Sequence, residues 1–547
     1  MKTLVAIVSA YAVFGLVVLV PQAVYSGDIG VKFVQARALA SSHFRSLDIP
    51  YPGEFLDPSR EFFPIRTPFV MTVGATTQTI FSPVSASLQA GMAALAGLRG
   101  MVVSSILAAA VILLAIRRVM PSELRTPAVV ALGLGSPLWF YAVTGWEHAP
   151  AVALSTAGFT LAITGERRGW SVLAAMLVAA GAMLRDEVIL LLPGLLFVVW
   201  HRTRAAKAVL LALAGATLPL AAGAAIEVAW FGRPVAAHLR HAVHLLQSAA
   251  HLTSEPNPEF PSLAPLSLRE RYETVIWYWV LGYGRDGWIL EYVCALAAAL
   301  TARRWLRSSV PLLLWVGAVV LLAAADAWEV VTAPKFLAGL LRVAPYLVFA
   351  VLPGPVSGTR RDWIHNAVAI TTVAYLVLAF AGVDTTGGKS LGPRLLLPLL
   401  PLLTISAIVR IAAYFRSEGT ERRVGWAGVV LVALAMVTQL FGTARAYEER
   451  NRIDARPILS AMHSNIRILV ADDEFTAQLL LPLYYRKIVF LADRPDQGSR
   501  LAASLSDRKV AEVLLISRSP TPSIQLSPLR LQRVTRTGRF NIQHWSR

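Results

Sequence analysis

Apolar runs too long for core strands recur along the chain from residue 4 to residue 442, separated by polar gaps. Letting each run cross a bilayer once predicts about thirteen transmembrane helices. They lie near 4–25, 100–117, 127–144, 149–165, 170–184, 187–201, 206–229, 286–302, 309–325, 336–352, 364–382, 391–412 and 424–442. The short gaps are basic: Arg117 and Arg118, Arg167 and Arg168, residues 201–207 and 303–307, Arg360 and Arg361, and residues 416–423. With Lys2 inside, every one of these gaps falls on the cytoplasmic side, as the positive-inside rule requires.

Three outer segments are then long: residues 26–98, residues 230–285 and everything from 443 to 547. In the first, residues 34–42 suit a short helix along the interface, residues 62–81 suit extended structure, and residues 84–98 suit a weakly apolar interfacial helix. In the tail, residues 466–470, 487–491 and 510–516 read as strands separated by helical stretches. That alternation predicts a small α/β extracytoplasmic domain on a three- or four-stranded sheet. The expected organisation is a transmembrane domain over 1–442 and this domain over 443–547. No internal repeat of the kind many transporters carry is visible.

Composition agrees with the pattern. Of 547 residues 56% are hydrophobic and 15% charged, against roughly 25% charged in an ordinary soluble protein. The net charge of +18 sits in the basic gaps, so it reads as membrane anchoring and not as a nucleic-acid footprint. The single cysteine, Cys294, lies in an apolar stretch and excludes an intrachain disulfide. The opening segment resembles a signal peptide, but it is long enough to span and further spans follow, so a retained first helix is the better reading.

Where the first apolar run ends stands Ser26-Gly27-Asp28-Ile29-Gly30-Val31-Lys32, followed by Arg37. A carboxylate at this boundary either caps the next helix or takes a proton where a lipid-borne and a water-borne reactant meet. Other outer loops carry Trp146-Glu147-His148, Leu184-Arg185-Asp186-Glu187, Phe231-Gly232-Arg233-Pro234, Gly284-Arg285-Asp286-Gly287, and Lys389-Ser390-Leu391-Gly392-Pro393-Arg394 with Pro398 and Pro401. His238, His241 and His244 recur every three residues, yet no carboxylate or cysteine accompanies them, which favours an interfacial helix over a metal site. Phosphate-cradling glycine loops, dinucleotide fingerprints and Gly-x-Ser-x-Gly are missing, which argues against nucleotide-sugar donors and serine hydrolysis.

In order and in shared outer placement, these motifs resemble the GT-C superfamily of membrane glycosyltransferases, in particular its polyprenyl-phosphate-sugar-dependent, ArnT-like and PMT-like bacterial members. Leu395 stands where an aromatic is common in that family. The resemblance spans most of residues 1–410. It implies a GT-C-like, α-helical polytopic protein of the inner (cytoplasmic) membrane that moves a hexosyl or pentosyl group from a polyprenyl-phosphate donor to a lipid, glycan or protein acceptor at the outer face. By position, Asp28 becomes the general base of an inverting displacement. Lys32, Arg37, Arg66, Glu147, His148, Arg185, Glu187, Lys389 and Arg394 become candidate substrate-binding residues. The resemblance fixes no cofactor but allows a divalent cation, which some relatives hold on a second carboxylate of the first loop, where Asp48, Glu54, Asp57 and Glu61 lie here. A transporter or flippase of a lipid-linked substrate and a ligase of whole glycans are the competing readings.

Overall fold

The computed structural model describes residues 1–67, 69–73, 76–167, 169–231, 266–282, 309–352, 362–382 and 392–547. Among the described residues six helices are long and apolar enough to cross a membrane: Leu98–Val119, Ala206–Trp230, Trp315–Thr332, Trp363–Gly382, Arg394–Arg416 and Gly419–His463. The shorter apolar helices Lys2–Val18 and Gly169–Leu184 join them, and the chain is a multi-pass membrane protein. The expected span at 286–302, the segments around Arg233 and Arg285, the three histidines, Cys294 and Lys389 lie outside the described residues.

Several predicted spans are broken in ways that hydropathy cannot register. The first helix, α1 (Lys2–Val13), continues only through a wider turn to Val18. Leu19 then turns extended ahead of Pro21, whose ring cannot continue a helix. The segment 127–144 is two helices, Arg125–Leu134 and Leu138–Val143, parted at Gly135-Ser136-Pro137. The segment 187–201 opens with a tight turn of helix, Asp186–Leu191, before Leu192–Thr203. Residues 336–352 are not one helix but Leu340–Val343 followed by a tight helical stretch, Pro345–Ala350. There Gly339, at φ +84°, lies so close to Gly282 that any side chain on it would overlap that backbone.

The segment after the first helix and the tail are built together. The helix α2 (Gly27–Ser41), which takes in most of the short helix expected at 34–42, is buried over most of its length. After it come the hairpin β1 (Val70–Val73) and β2 (Thr76–Thr79), inside the stretch expected to be extended, and α3 (Pro83–Ala96). The tail carries a five-stranded sheet of order β4-β3-β5-β7-β6, one strand more than expected. β3 (Ile468–Ala471) pairs in parallel with β4 (Ile488–Leu491) and β5 (Glu512–Ser517), while β6 (Arg530–Thr537) and β7 (Phe540–Ser546) add an antiparallel edge.

β3 and β4 are uniformly apolar because both faces are covered, as expected of parallel strands. Ile468, Val470, Ile488 and Phe490 pack with Val31 and Val34 of α2 and with Phe62 and Phe63 of the first loop. Backbone and side-chain bonds fasten the same contact: Leu491 N donates to Phe62 O at 2.9 Å, Tyr485 Oη to Val34 O at 2.8 Å and Tyr484 Oη to Pro50 O at 3.0 Å.

The start of α2 is clamped from the tail side by Gln478, on the helix Glu474–Leu480. A Cβ on Gly30 would come within 2.7 Å of the Gln478 carbonyl and 3.2 Å of Leu481 Cβ. Gly30→Val is therefore expected to cost about 1–3 kcal/mol through overpacking, read as a lower thermal unfolding midpoint. An unchanged midpoint would mean that the tail does not press on α2.

Candidate functional site

The site is assembled on α2. Ser26 is its N-cap residue, and Asp28 sits inside the first turn rather than at the cap, where a carboxylate complements the helix dipole. The hydrogen-bond partner of the Asp28 carboxylate is Arg394, whose Nη1 donates to Oδ2 at 3.2 Å across 366 positions of sequence. Arg394 opens the tight helical segment Arg394–Leu399 that leads into Leu400–Arg416. Both side chains keep about a fifth of their surface open, 22% for Asp28 and 21% for Arg394, and the Arg394 Nε has no hydrogen-bond partner among the described residues.

One turn further along α2 and on the same face, Lys32 is almost fully buried. Its Nζ donates to both carboxylate oxygens of Glu147, at 2.6 and 2.8 Å, and lies 4.3 Å from the centre of the Phe81 ring. Glu147 precedes the helix His148–Thr164 and also accepts from Arg185 Nη1 at 3.2 Å. Arg185 stands in the extended break between Gly169–Leu184 and the turn at Asp186, and its Nε donates to Glu187 at 2.9 Å. Lys32, Glu147, Arg185 and Glu187 thus form one ionic chain through the ends of helices that are far apart in sequence.

Burial alone would raise the Glu147 carboxyl. Lys32 and Arg185 overcome that effect and hold it well below the usual carboxylate range. Burial pushes the Lys32 ammonium down, while Glu147 and Asp28 oppose it. An ionic chain this dry is a scaffold of fixed charge, costly to desolvate and costlier to break.

His148 is buried beside this chain, 5.3 Å from Tyr141 and 5.2 Å from Trp146 between ring centres, and neither ring nitrogen has a hydrogen-bond partner among the described residues. Under the first turn of α2 lies an aromatic floor: Tyr25 meets Phe140 at 4.9 Å, Tyr447 at 5.1 Å and Phe336 at 5.2 Å, edge to face in each case. The guanidinium of Arg450 covers the Tyr25 ring at 4.9 Å. Tyr447, Phe336 and Arg450 were not singled out by sequence reasoning. Aromatic residues at the outer ends of spans read as interfacial anchors, and the contacts that unite these ones are long-range.

The remaining predicted residues lie elsewhere. Arg37 reaches the Ala93 carbonyl at 3.5 Å, tying α2 to α3. Arg66 faces Glu474 of the tail, whose carboxyl is raised by burial and lowered in part by that arginine. The first-loop carboxylates organise structure. Asp57 is buried and accepts from Tyr51 Oη at 2.8 Å and from the Phe62 and Glu61 amides at 2.7 and 3.0 Å. Asp48 accepts from Thr77 N at 2.8 Å, Glu54 pairs with Arg60 at 3.3 Å, and Glu61 accepts from Arg500 Nε at 3.0 Å. No group of three or more His, Cys, Asp or Glu residues is placed to share a metal ion among the described residues.

No family model and no curated protein matches the sequence. Among solved structures, the chain is similar to ArnT from Cupriavidus metallidurans bound to undecaprenyl phosphate, at 14% identity and a TM-score of 0.48, covering 99% of this chain and 97% of that one. It is also similar to the apo oligosaccharyltransferase of Archaeoglobus fulgidus, at 10% identity and a TM-score of 0.43, covering 94% of this chain and 69% of that one.

Proposed function

We propose that the chain is a GT-C-like membrane glycosyltransferase that moves a sugar from a polyprenyl-phosphate donor to a lipid, glycan or protein acceptor, with Asp28 as general base. The observation that carries this reading is the pairing of Asp28 with Arg394, each partly open, above a buried ionic chain and an aromatic floor. Transfer needs a base for the acceptor hydroxyl and a cation for the departing phosphate on opposite sides of one sugar carbon, so in this reading the Asp28–Arg394 contact opens around the donor. In the proposed step the acceptor oxygen forms its bond to the anomeric carbon and gives its proton to Asp28. The carbon–oxygen bond to the lipid phosphate breaks, and its electron pair leaves with the phosphate beside Arg394. A single displacement of this kind inverts the anomeric centre.

The geometry divides the predicted substrate-binding residues. Lys32, Glu147, Arg185 and Glu187 hold one another and act here as positioning residues that fix α2 against the helices behind it. Among the described residues Arg394 is paired only with Asp28 and keeps about a fifth of its surface open, so it is the donor-phosphate ligand in this reading. Arg37 and Arg66 bind neither reactant in this scheme, since their contacts lie with α3 and the tail.

The test of the reaction class is to reconstitute the purified protein and supply radiolabelled sugar as polyprenyl-phosphate and as nucleotide conjugates. Label from the lipid-linked donor should reach an acceptor fraction and label from the nucleotide should not. Movement of the intact labelled lipid across the bilayer without transfer would replace this reading with a transporter.

The proposed topology has thirteen spans in the inner membrane, with the first loop and the tail outside. Accessibility tags at Ser59 and Thr420 are then expected to report opposite sides of the membrane. Labelling of both from one side would break that arrangement.

A further inference from the structure

A second concave site lies one aromatic wall away from Asp28. It is a cavity of ≈ 710 Å³ between the helix Ala444–His463, the turn joining β6 to β7, and the segment around Phe336. That volume falls within the range of small-molecule sites, roughly 300–1,000 Å³. Five of its lining side chains are cationic and two anionic.

The helix supplies Arg450 and Arg456. The β6–β7 turn supplies Arg536 and Arg539 on either side of Gly538, whose φ of +64° lets the tight turn form. The cations are not equivalent. Asp454, buried within the wall, is held by Arg539 and lies 3.5 Å from Arg450, and Lys335 is paired with Glu329. Arg456 and Arg536 are exposed and have no ion pair or side-chain hydrogen bond among the described residues. Against these cations stand two lining acids, Asp454, already held by Arg539, and the exposed Glu449, so five cationic side chains face two anionic ones and leave a surplus of positive charge in a concave site. Guanidinium geometry matches a phosphate oxygen pair bidentately.

The cavity shares its wall with the aromatic floor beneath the transfer site. Phe336 lines it and packs on Tyr25 at 5.2 Å, and Arg450 lines it while covering the same ring at 4.9 Å. Tyr25 immediately precedes the N-cap of the helix that carries Asp28. The floor thus joins the cavity wall to the start of the helix that carries Asp28.

We propose that this cavity binds a phosphomonoester carried by the acceptor, so that the enzyme selects phosphorylated acceptors through Arg456 and Arg536. The assignment rests on the transfer reading above, but its test does not. Glucose 6-phosphate and glucose serve as probes, titrated into the full-length protein in phosphatidylcholine nanodiscs with binding read by saturation-transfer NMR. Glucose 6-phosphate should bind more tightly than glucose. Arg456→Glu/Arg536→Glu should weaken it by about tenfold or more, the scale of losing charge-assisted contacts. The milder Arg456→Gln/Arg536→Gln should weaken it in the same direction, and Arg508→Gln, exposed and outside the cavity lining, should leave it unchanged.

Equal binding of sugar and sugar phosphate, or a charge-reversed double variant that binds like the wild type, would overturn the proposal whatever the transfer assay shows. Displacement of the sugar phosphate in phosphatidylglycerol-containing nanodiscs would reassign the cavity to membrane headgroups and overturn the acceptor role. Arginine-dependent binding in a protein that transfers no sugar would count against the transfer reading alone.

Discussion

Asp28→Asn should lower the rate of sugar transfer by about 10²–10⁴-fold, the scale of removing a positioned general base, while leaving the folded protein intact. The substitution keeps the size and hydrogen-bonding reach of the side chain, and the Asp28–Arg394 contact is a partly exposed pair whose net contribution to stability is small. Its thermal midpoint should stay near the wild-type value. Arg394→Lys should fall between the two in activity, because an ammonium supplies charge to a phosphate but not the planar pair of donors. Asp28→Asn protein that transfers at the wild-type rate would remove Asp28 from the chemistry. Unfolding of that variant would make Asp28 a structural residue instead.

Glu147→Ala should have the largest effect on stability of any single change at the site. It strands the Lys32 ammonium, 3% exposed, without its partner and takes one of two acceptors from Arg185. Removing one member of a buried pair costs about 3–5 kcal/mol, far more than the pair is worth intact. Replacing both ends, as in Lys32→Met/Glu147→Leu, should recover much of that stability but not activity, because α2 would lose the polar contact that orients its first two turns.

Acid should act on the same bond. The folded-state carboxyl of Glu147 is depressed, so its contribution is complete above the ordinary glutamate range and is lost as pH falls through and below it. Wild-type protein should therefore lose stability on acidification more steeply than Glu147→Gln, measured as thermal midpoint against pH. Parallel curves for the two proteins would show that Glu147 is not held as an anion.

What could be read from sequence and what could not divides along contact distance. The apolar runs, the basic gaps, the tail strands at 466–470, 487–491 and 510–516, and the polar cluster after the first helix are all local signals, carried by a few adjacent residues. Helix breaks at Ser136-Pro137 and at Gly339 were missed because hydropathy averages over a window and these breaks keep their apolar character. The strand β6 was missed because nearly all of its side chains, Arg530, Arg533 and Arg536 among them, are exposed at the sheet edge, so it has no buried face to impose an alternation.

The site shows the same division more sharply. Lys32, Arg37, Arg66, Arg185 and Arg394 look alike as letters, each an outer cation near an apolar run. Their roles separate only through partners 115 residues away for Lys32 and 366 for Arg394. Burial then consumes Lys32 and Arg185 in the ionic chain and leaves Arg394 open. Gly27 and Gly30 could be noticed in sequence, but the reason for them, the Gln478 side chain and carbonyl lying where a Cβ would be, belongs wholly to the packed tail.

Transfer of label in sealed vesicles, from a polyprenyl-phosphate-linked sugar, compared between wild-type and Asp28→Asn protein of equal folded amount, addresses the assignment of Asp28 most directly. Label should reach the acceptor fraction with the wild-type chain and fall by at least about a hundredfold with the variant. Equal transfer by the two proteins, or none by the wild type from any lipid-linked sugar, would contradict it.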